Sequence, residues 1–214
     1  MKLFYILLGA LLVTQTSSAQ APVTKDSVTK SGDGKVFTTA EQIPEFPGGI
    51  PAFYKYISKN LQYPIVARLI GLTGKVNVSF VLNENGKITE ATPINCIGAG
   101  CEAEAARVLE LCPTWKPGIQ NGKPVRVMYT MPITFDLGGK KEKTRLKDLR
   151  RSEFGFVFSI KDTLYTIDEA EKILGKEFDP GQVLTADVFY NYNKLQKFEM
   201  PGKKEVYLII FKST

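Results

Sequence analysis

The sequence of 214 residues contains no histidine. Histidine is the side chain most often used as a general base and is a common zinc ligand, so its absence argues against acid–base catalysis and against a zinc site. The acidic residues are scattered, and no glycine-rich phosphate-binding loop is present. We therefore expect no catalytic residues, no bound metal and no cofactor.

The sequence also lacks an apolar run long enough to span a membrane. The longest run, Leu3 to Val13, has about half of the roughly 20 residues that a spanning helix needs. It follows Lys2 and precedes Ser17-Ser18-Ala19, whose small residues are typical of a cleavage site before Gln20. This pattern predicts a Sec signal peptide over residues 1–19 and export to the periplasm. The alternative is an uncleaved segment that anchors the chain in the inner membrane, facing the periplasm.

Cysteine is scarce, and Cys96, Cys101 and Cys112 are the only three. Cys96 and Cys101 flank a glycine-containing loop that could bring them within bonding distance. In an oxidising compartment this spacing predicts a disulfide between Cys96 and Cys101, with Cys112 as a buried thiol. The alternative is that all three are small core residues.

The chain is mildly basic, with a formal net charge of +6 that is spread along its length. Such a balance suits anionic envelope surfaces or acidic peptides and does not indicate nucleic-acid binding. The densest basic run lies within residues 139–152. We interpret it as an exposed linker or charged helix, with a specific anionic binding site as the alternative.

Hydrophobic periodicity predicts two folded parts after a polar, flexible lead-in over residues 20–45 that includes a short strand near Val36. Residues 46–138 predict an α+β domain in which two helices pack on a three-stranded antiparallel sheet. Its elements, in order, are a helix from Ala52 to Leu61, strands at 75–80 and 88–94, a helix from Glu102 to Leu111 and a strand from Val125 to Leu137.

Residues 153–214 predict a second small α+β module of unknown role. We expect a hairpin that turns at Lys161-Asp162, then a helix capped by Asp168 and Glu171. Two further strands are expected near residues 183–190 and 206–211.

The first domain contains a series of glycine, proline and aromatic motifs. They are Phe46-Pro47-Gly48-Gly49, Tyr63-Pro64 with Ala67, Gly71 and Gly74, Gly86, Glu104-Ala105, Trp115-Lys116-Pro117-Gly118, Gly122-Lys123-Pro124-Val125, and Pro132-Ile133 with Phe135. In this order and spacing, they resemble the C-terminal domain of TonB-family energy-transduction proteins, in the version common in Bacteroidetes. The sequence departs from many relatives at Gly100-Cys101-Glu102.

The last strand of this domain is the candidate binding element. In a sheet ordered 2-1-3, the strand Val125 to Met131 lies at an edge, where unpaired backbone groups can take up an extended peptide by β-augmentation. The resemblance implies that the peptide is the TonB box of an outer-membrane transporter. It also implies that the contacts come from Gln62, Tyr63, Pro64, Val125, Arg126, Val127, Met128 and Tyr129. For Tyr63-Pro64, a structural role in ending the first helix is an equal alternative.

Together, these expectations predict a periplasmic TonB-like protein that binds outer-membrane TonB-dependent transporters or other envelope proteins and has no small-molecule substrate. One alternative is a short energy transducer whose uncleaved N-terminal helix associates with inner-membrane motor proteins. A second alternative is a redox-active thiol protein, in which Cys101 near a helix N-terminus has a lowered pKa.

Overall fold

The computed structural model describes residues 28–31, 34–138, 142–190, 192–194 and 196–212. The expected signal peptide, residues 1–19, lies outside these ranges. Within them, no helix has the length and apolarity to cross a membrane. The two larger sheets are formed by strands before and after residue 140, and we call these two parts of the chain the first and second modules.

The first module is an α+β unit with three helices against one sheet. The α+β fold is confirmed, but the sheet has six strands, ordered β1-β2-β6-β3-β4 with β5 against the start of β6. Strand β3 is antiparallel to both β4 and β6, as predicted. The elements are β1 (Val28–Ser31), β2 (Gly34–Phe37), α1 (Gly49–Asn60), α2 (Ile65–Leu69), β3 (Gly74–Leu82), β4 (Ile88–Pro93), α3 (Cys101–Glu110), β5 (Gly118–Gln120) and β6 (Lys123–Phe135).

The core of this module is an aromatic cluster between the helices and the sheet. Trp115 lies at its centre, with its ring centroid 5.4 Å from those of both Phe46 and Phe53. Alternation along β3 turns Phe80 toward the same cluster, at 6.3 Å from Trp115. Burial of these large side chains contributes to holding α1 on the sheet.

The tight turn between β3 and β4 depends on Gly86. Its φ is +75°, and a Cβ there would lie 1.8 Å from the Trp115 carbonyl oxygen. The Trp115 N–H in turn donates to the Gly86 carbonyl at 2.8 Å. Only glycine allows both the left-handed backbone and this close approach, which accounts for the Asn-Gly turn signal in the sequence.

The second module contains a mixed sheet ordered β11-β12-β8-β9, in which β12 is parallel to β8. Its hairpin turns at Lys161 and Asp162, both at positive φ, as expected. The elements are β7 (Thr144–Arg145), α4 (Leu146–Arg151), β8 (Gly155–Ile160), β9 (Thr163–Tyr165), α5 (Ile167–Leu174), β10 (Glu177–Phe178), β11 (Val183–Val188) and β12 (Val206–Phe211).

The helix α5 is capped two residues earlier than expected. Thr166 is the N-cap, and it forms a reciprocal capping box with Glu169. The residues expected to cap, Asp168 and Glu171, instead both accept hydrogen bonds from Arg150 at 2.7 Å. The predicted cap was therefore wrong, because the helix starts at Ile167.

Regular structure extends into the lead-in, where a short strand near Val36 was expected, and into the basic run, where a charged helix was one interpretation. The lead-in contributes β1 and β2, which pair with each other antiparallel. The expected exposed linker contributes β7 and α4, where Leu146 and Leu149 are fully buried. These leucines, three residues apart, give one apolar face to an otherwise basic helix.

The second module packs against the first at one end of the central sheet. The Thr144 hydroxyl donates to the Ile70 carbonyl at 2.9 Å, and the Ala99 N–H donates to the Ala186 carbonyl. Buried side chains of both modules form one continuous core. We call this region, with Ile70, Gly71, Gly98, Ala99 and Phe135 on the side of the first module, the docked end.

Candidate functional site

The direction of the backbone groups along β6 determines which N–H and carbonyl groups are available at its outer edge. Pro132 lies opposite Asn77 in the β3–β6 pairing. The backbone groups of Asn77 face β4, because its carbonyl accepts from the Ile94 N–H at 2.8 Å and its N–H donates to Asn95. In an antiparallel pair, two directly opposed residues turn their backbone groups either toward each other or both away from each other. Since those of Asn77 face away from β6, those of Pro132 face away from β3.

The same alternation assigns the other positions of the strand. Arg126, Met128 and Thr130 also turn their N–H and carbonyl groups outward. Pro124 lies opposite Ile119, whose backbone groups bond to Gln42 instead. Both prolines of β6 therefore occupy positions where the neighbouring strand needs no N–H.

The outer edge thus offers three N–H donors between two prolines. We call the stretch from Arg126 to Thr130 the edge window. Its five residues span about 17 Å. This length suits pairing with a short extended segment.

Strand β2 fills the beginning of the edge window. It runs parallel to β6, with Val36 opposite Arg126 and Phe37 opposite Val127. The expectation of an unpaired edge over Val125 to Met131 is therefore corrected. Val36 and Phe37 have high strand propensity and allow β2 to join the sheet, and Val36 becomes fully buried. Beyond Val127, no described strand pairs with the outer side of β6.

The side chains of the edge window point alternately to the two faces of the sheet. Tyr129 faces the helices, stacks on Phe80 at 6.2 Å between centroids, and has a pKa raised by burial. Arg126 faces the other side, where its Nη2 pairs with Glu90 on β4. Only 9% of the Arg126 side chain is exposed, and its Nη1 has no hydrogen-bond partner among the described residues.

The other predicted contact residues line a groove between α2 and α3. Gln62, Tyr63 and Pro64 form one wall, ahead of α2. The groove has a volume of about 350 Å³, and the remaining lining residues are Ile65, Gly100, Ala103, Glu104 and Arg107. We call it the α2–α3 groove.

Glu104 holds this groove together and was not predicted as a contact residue. It is 8% exposed, accepts the Gln62 N–H, and accepts a hydrogen bond from Arg107 Nε at 2.6 Å. Burial alone would raise the pKa of Glu104, but the hydrogen bonds from Arg107 and from the Gln62 amide lower it. The carboxylate therefore fixes residue 62 in place. Its position in the Glu104-Ala105 motif was the available sequence signal.

Tyr63 is tied to the interior of the domain. Its hydroxyl donates to the Leu72 carbonyl, and its ring lies 5.6 Å from that of Phe135. The Arg68 guanidinium lies over the ring at 5.7 Å. Burial is the largest cause that raises the Tyr63 pKa, to about 12. These contacts favour a structural role for Tyr63, while Pro64 is the N-cap of α2.

The structure does not bring the predicted contact residues together into one site. Tyr63 packs beside Phe135, five residues beyond Thr130 along β6. That separation corresponds to about 17 Å of strand. The predicted residues therefore form two surfaces, the edge window and the α2–α3 groove.

The three cysteines are separate thiols in the structure. Cys96 is exposed and Cys101 is buried, and the disulfide between them stays a prediction. Burial, reinforced by Glu102, raises the Cys101 pKa to about 12. The redox alternative needed a lowered pKa, so its physical basis was wrong.

Comparison with known protein families gives one match in the region of the candidate site. The family described as the Gram-negative bacterial TonB protein C-terminal matches residues 59–137, which include both the edge window and the α2–α3 groove. Residues 59–137 are therefore similar to a TonB C-terminal domain, and the match supports a TonB-like role in TonB-dependent transport. A search of curated proteins finds no match.

Two solved structures are similar to part of the chain. Both are NMR solution structures of the Helicobacter pylori TonB C-terminal domain. One is 23% identical, with a TM-score of 0.32, and the match covers 44% of this chain and 89% of that one. The other is 24% identical, with a TM-score of 0.29, and the match covers 42% of this chain and 95% of that one.

Proposed function

We propose that this protein acts in the periplasm, where its edge window captures extended segments of outer-membrane transporters or other envelope proteins by β-augmentation. The observation that carries the proposal is the row of outward N–H donors at Arg126, Met128 and Thr130, bounded by Pro124 and Pro132. Backbone pairing supplies affinity in this mode, and alternate side chains supply selectivity.

The prolines set the length of the segment that pairs. An incoming strand finds donors at every second residue from Arg126 to Thr130 and loses the next one at Pro132. We therefore expect the paired part of a partner to be about five residues long. Such a segment is short enough to come from a flexible region of a larger envelope protein.

Contact with the α2–α3 groove needs a longer partner. A segment that continues past Thr130 has about another 17 Å to cover before it reaches the level of Phe135, beside Tyr63. We propose that Gln62, Tyr63 and Pro64 contact flanking residues of a partner and that the edge window holds its central strand. A five-residue peptide would then contact the edge window alone.

Whether the N-terminal segment stays attached separates this role from that of a short transducer. A mature chain that starts at Gln20 supports the periplasmic binding protein. A chain that retains Met1 supports the alternative, in which an anchored domain associates with inner-membrane motor proteins. N-terminal sequencing of the protein from cells distinguishes the two.

The test of strand addition uses Met128→Pro. This change removes one outward N–H and places a third proline in the series that already contains Pro124 and Pro132, so the pairing with β3 is kept. Met128→Leu is the matched control, since it alters the side chain and keeps the N–H. We expect the immobilised wild-type protein and the leucine variant to capture outer-membrane transporters from envelope extracts, and the proline variant to capture at least tenfold less.

Equal capture by the proline and leucine variants would contradict strand addition at the edge window. Thermal unfolding of each variant checks that the fold is intact. Val127→Pro is less informative, because the backbone groups of Val127 face β3 and their loss disturbs the sheet itself.

A further inference from the structure

Strand β2 already makes the interaction that we propose for a partner. It adds to the outer side of β6 as an extended strand, at Arg126 and Val127. These two residues are also the first two of the edge window. A partner that pairs along the whole window therefore needs the positions that β2 occupies.

The attachment of β2 is local and short. Gly34 and Lys35 are exposed, Val36 is buried and Phe37 is half-buried. After Phe37 the chain bends away, and Gln42 is held by two backbone hydrogen bonds to Ile119, of 3.1 and 2.9 Å. The residues between these points are a short tether that keeps β2 at high effective concentration beside β6.

The fit of β2 to the edge is incomplete. Val36 lies opposite Arg126 in the parallel pairing, so their side chains are neighbours on the same face. Valine cannot accept a hydrogen bond, and Arg126 Nη1 has no partner within the described part of the chain. A buried donor left unsatisfied is destabilising. Strand β2 also leaves Thr130 without a strand partner on the outer side.

We infer that β2 is an intramolecular competitor for the edge window and that a partner binds by strand exchange, in which its own extended segment replaces Gly34–Phe37. The inference rests on the proposed function and adds its regulation. The competitor weakens every partner that pairs at Arg126 and Val127 by the same factor, the reciprocal of the fraction of molecules in which β2 is detached. Partners that pair across the full window overcome this factor through their additional contacts from Met128 to Thr130.

A peptide with the sequence of residues 28–39 tests the exchange without a natural partner. It is titrated into isotopically labelled protein, and the backbone amide signals of Arg126 to Thr130 are followed by NMR, which detects millimolar binding. The release variant is Val36→Gly/Phe37→Gly, which weakens β2 by loss of strand propensity and of buried contact. The matched control is Thr38→Gly/Thr39→Gly, with two glycines placed just outside β2.

We expect the release variant to bind the peptide with an apparent Kd at least tenfold below that of the wild type, which corresponds to β2 being attached in more than about 90% of wild-type molecules. The control variant should match the wild type. Equal affinity in all three proteins would overturn the inference, and so would an absence of peptide-dependent shifts in the release variant. Either result leaves the proposed function to be decided by the capture experiment with Met128→Pro.

Discussion

The two ends of β6 are held in different ways. At the docked end, Phe135 is 1% exposed and belongs to a core that both modules share. At the edge window, β2 pairs with only the first two residues, Arg126 and Val127, and Val36 is the one fully buried side chain among its four residues. One end is fixed by packing and the other by a short strand on a tether.

This difference separates a structural region from an exchangeable one. Regions with few buried contacts open locally at low free energy, whereas regions in the core open only with global unfolding. A strand-exchange site has to be of the first kind. The second module is attached at the opposite end, so it can stabilise the domain without covering the edge window.

The largest contrast should come from the same substitution at each end. Phe135→Ala removes a fully buried ring and should lower the free energy of unfolding by about 3–5 kcal/mol. Phe37→Ala removes a half-buried ring from β2 and should cost less than about 1 kcal/mol, since the strand can detach without unfolding the domain. Chemical denaturation measures both, and similar losses would contradict the contrast.

Substitutions at two glycines test how closely the second module packs at the docked end. A Cβ at Gly98, where φ is +90°, would lie 2.5 Å from the Ala186 carbonyl oxygen, whereas a Cβ at Gly122, where φ is +69°, meets nothing within 4 Å. Both alanine variants carry left-handed strain of about 1–2 kcal/mol, and Gly98→Ala adds the clash with the second module. We expect Gly98→Ala to be the less stable by at least about 1 kcal/mol in thermal unfolding. Equal stability would show that the modules do not pack closely there.

Acid should destabilise the α2–α3 groove through Glu104. Its pKa is lowered in the folded protein, so the unfolded chain binds the proton more tightly. The stabilisation is present at neutral pH and is lost as the pH falls below about 4.3, the ordinary glutamate value, and through the lower folded value. Glu104→Gln should cost about 1–3 kcal/mol at pH 7 and less at pH 3.

Glu110→Gln, at the exposed end of the same helix, is the control for Glu104→Gln. Denaturation curves at both pH values give the comparison. A penalty for Glu104→Gln that is the same at pH 7 and pH 3 would contradict the role of its charge.

The smallest effect concerns the unsatisfied Arg126 donor. In the peptide of residues 28–39, Val36→Glu places a carboxylate opposite Arg126. We expect it to bind the release variant more tightly than the unchanged peptide does, by about 1 kcal/mol after the cost of burying the carboxylate. Val36→Leu in the peptide is the apolar control. The gain should disappear when the protein also carries Arg126→Met, and a gain that persists would place the carboxylate elsewhere.

Periodicity was sufficient for most of the first domain. The stripe of α1 and the alternation along β3 predicted which side chains face the core, and Gly86 predicted the hairpin. The α+β fold follows from these local patterns, because one buried face fixes the period of each element. The glycine and proline motifs added the family resemblance.

The pairing of β2 with the outer edge of β6 could not be predicted from the sequence. A four-residue strand in a polar segment carries too little periodicity to identify its partner, so β2 was placed in a flexible lead-in. Leu146 and Leu149 were missed for a similar reason, since basic neighbours concealed their shared face. Pro124 and Pro132, eight residues apart, mark positions of β6 whose backbone groups point outward. The sequence contains this spacing, but its meaning became clear only from the register of Pro132 against Asn77.

The most direct test of peptide capture at the edge window is site-specific photo-cross-linking in cells. A photoreactive residue at Thr130, exposed beside the open part of the window, is compared with one at Lys172, exposed on α5 in the second module. We expect an adduct at Thr130 that mass spectrometry maps to an extended segment of an outer-membrane transporter or other envelope protein. This adduct should be reduced by Met128→Pro and absent at Lys172. The same adducts at both positions, or an adduct at Thr130 that Met128→Pro leaves unchanged, would contradict this expectation.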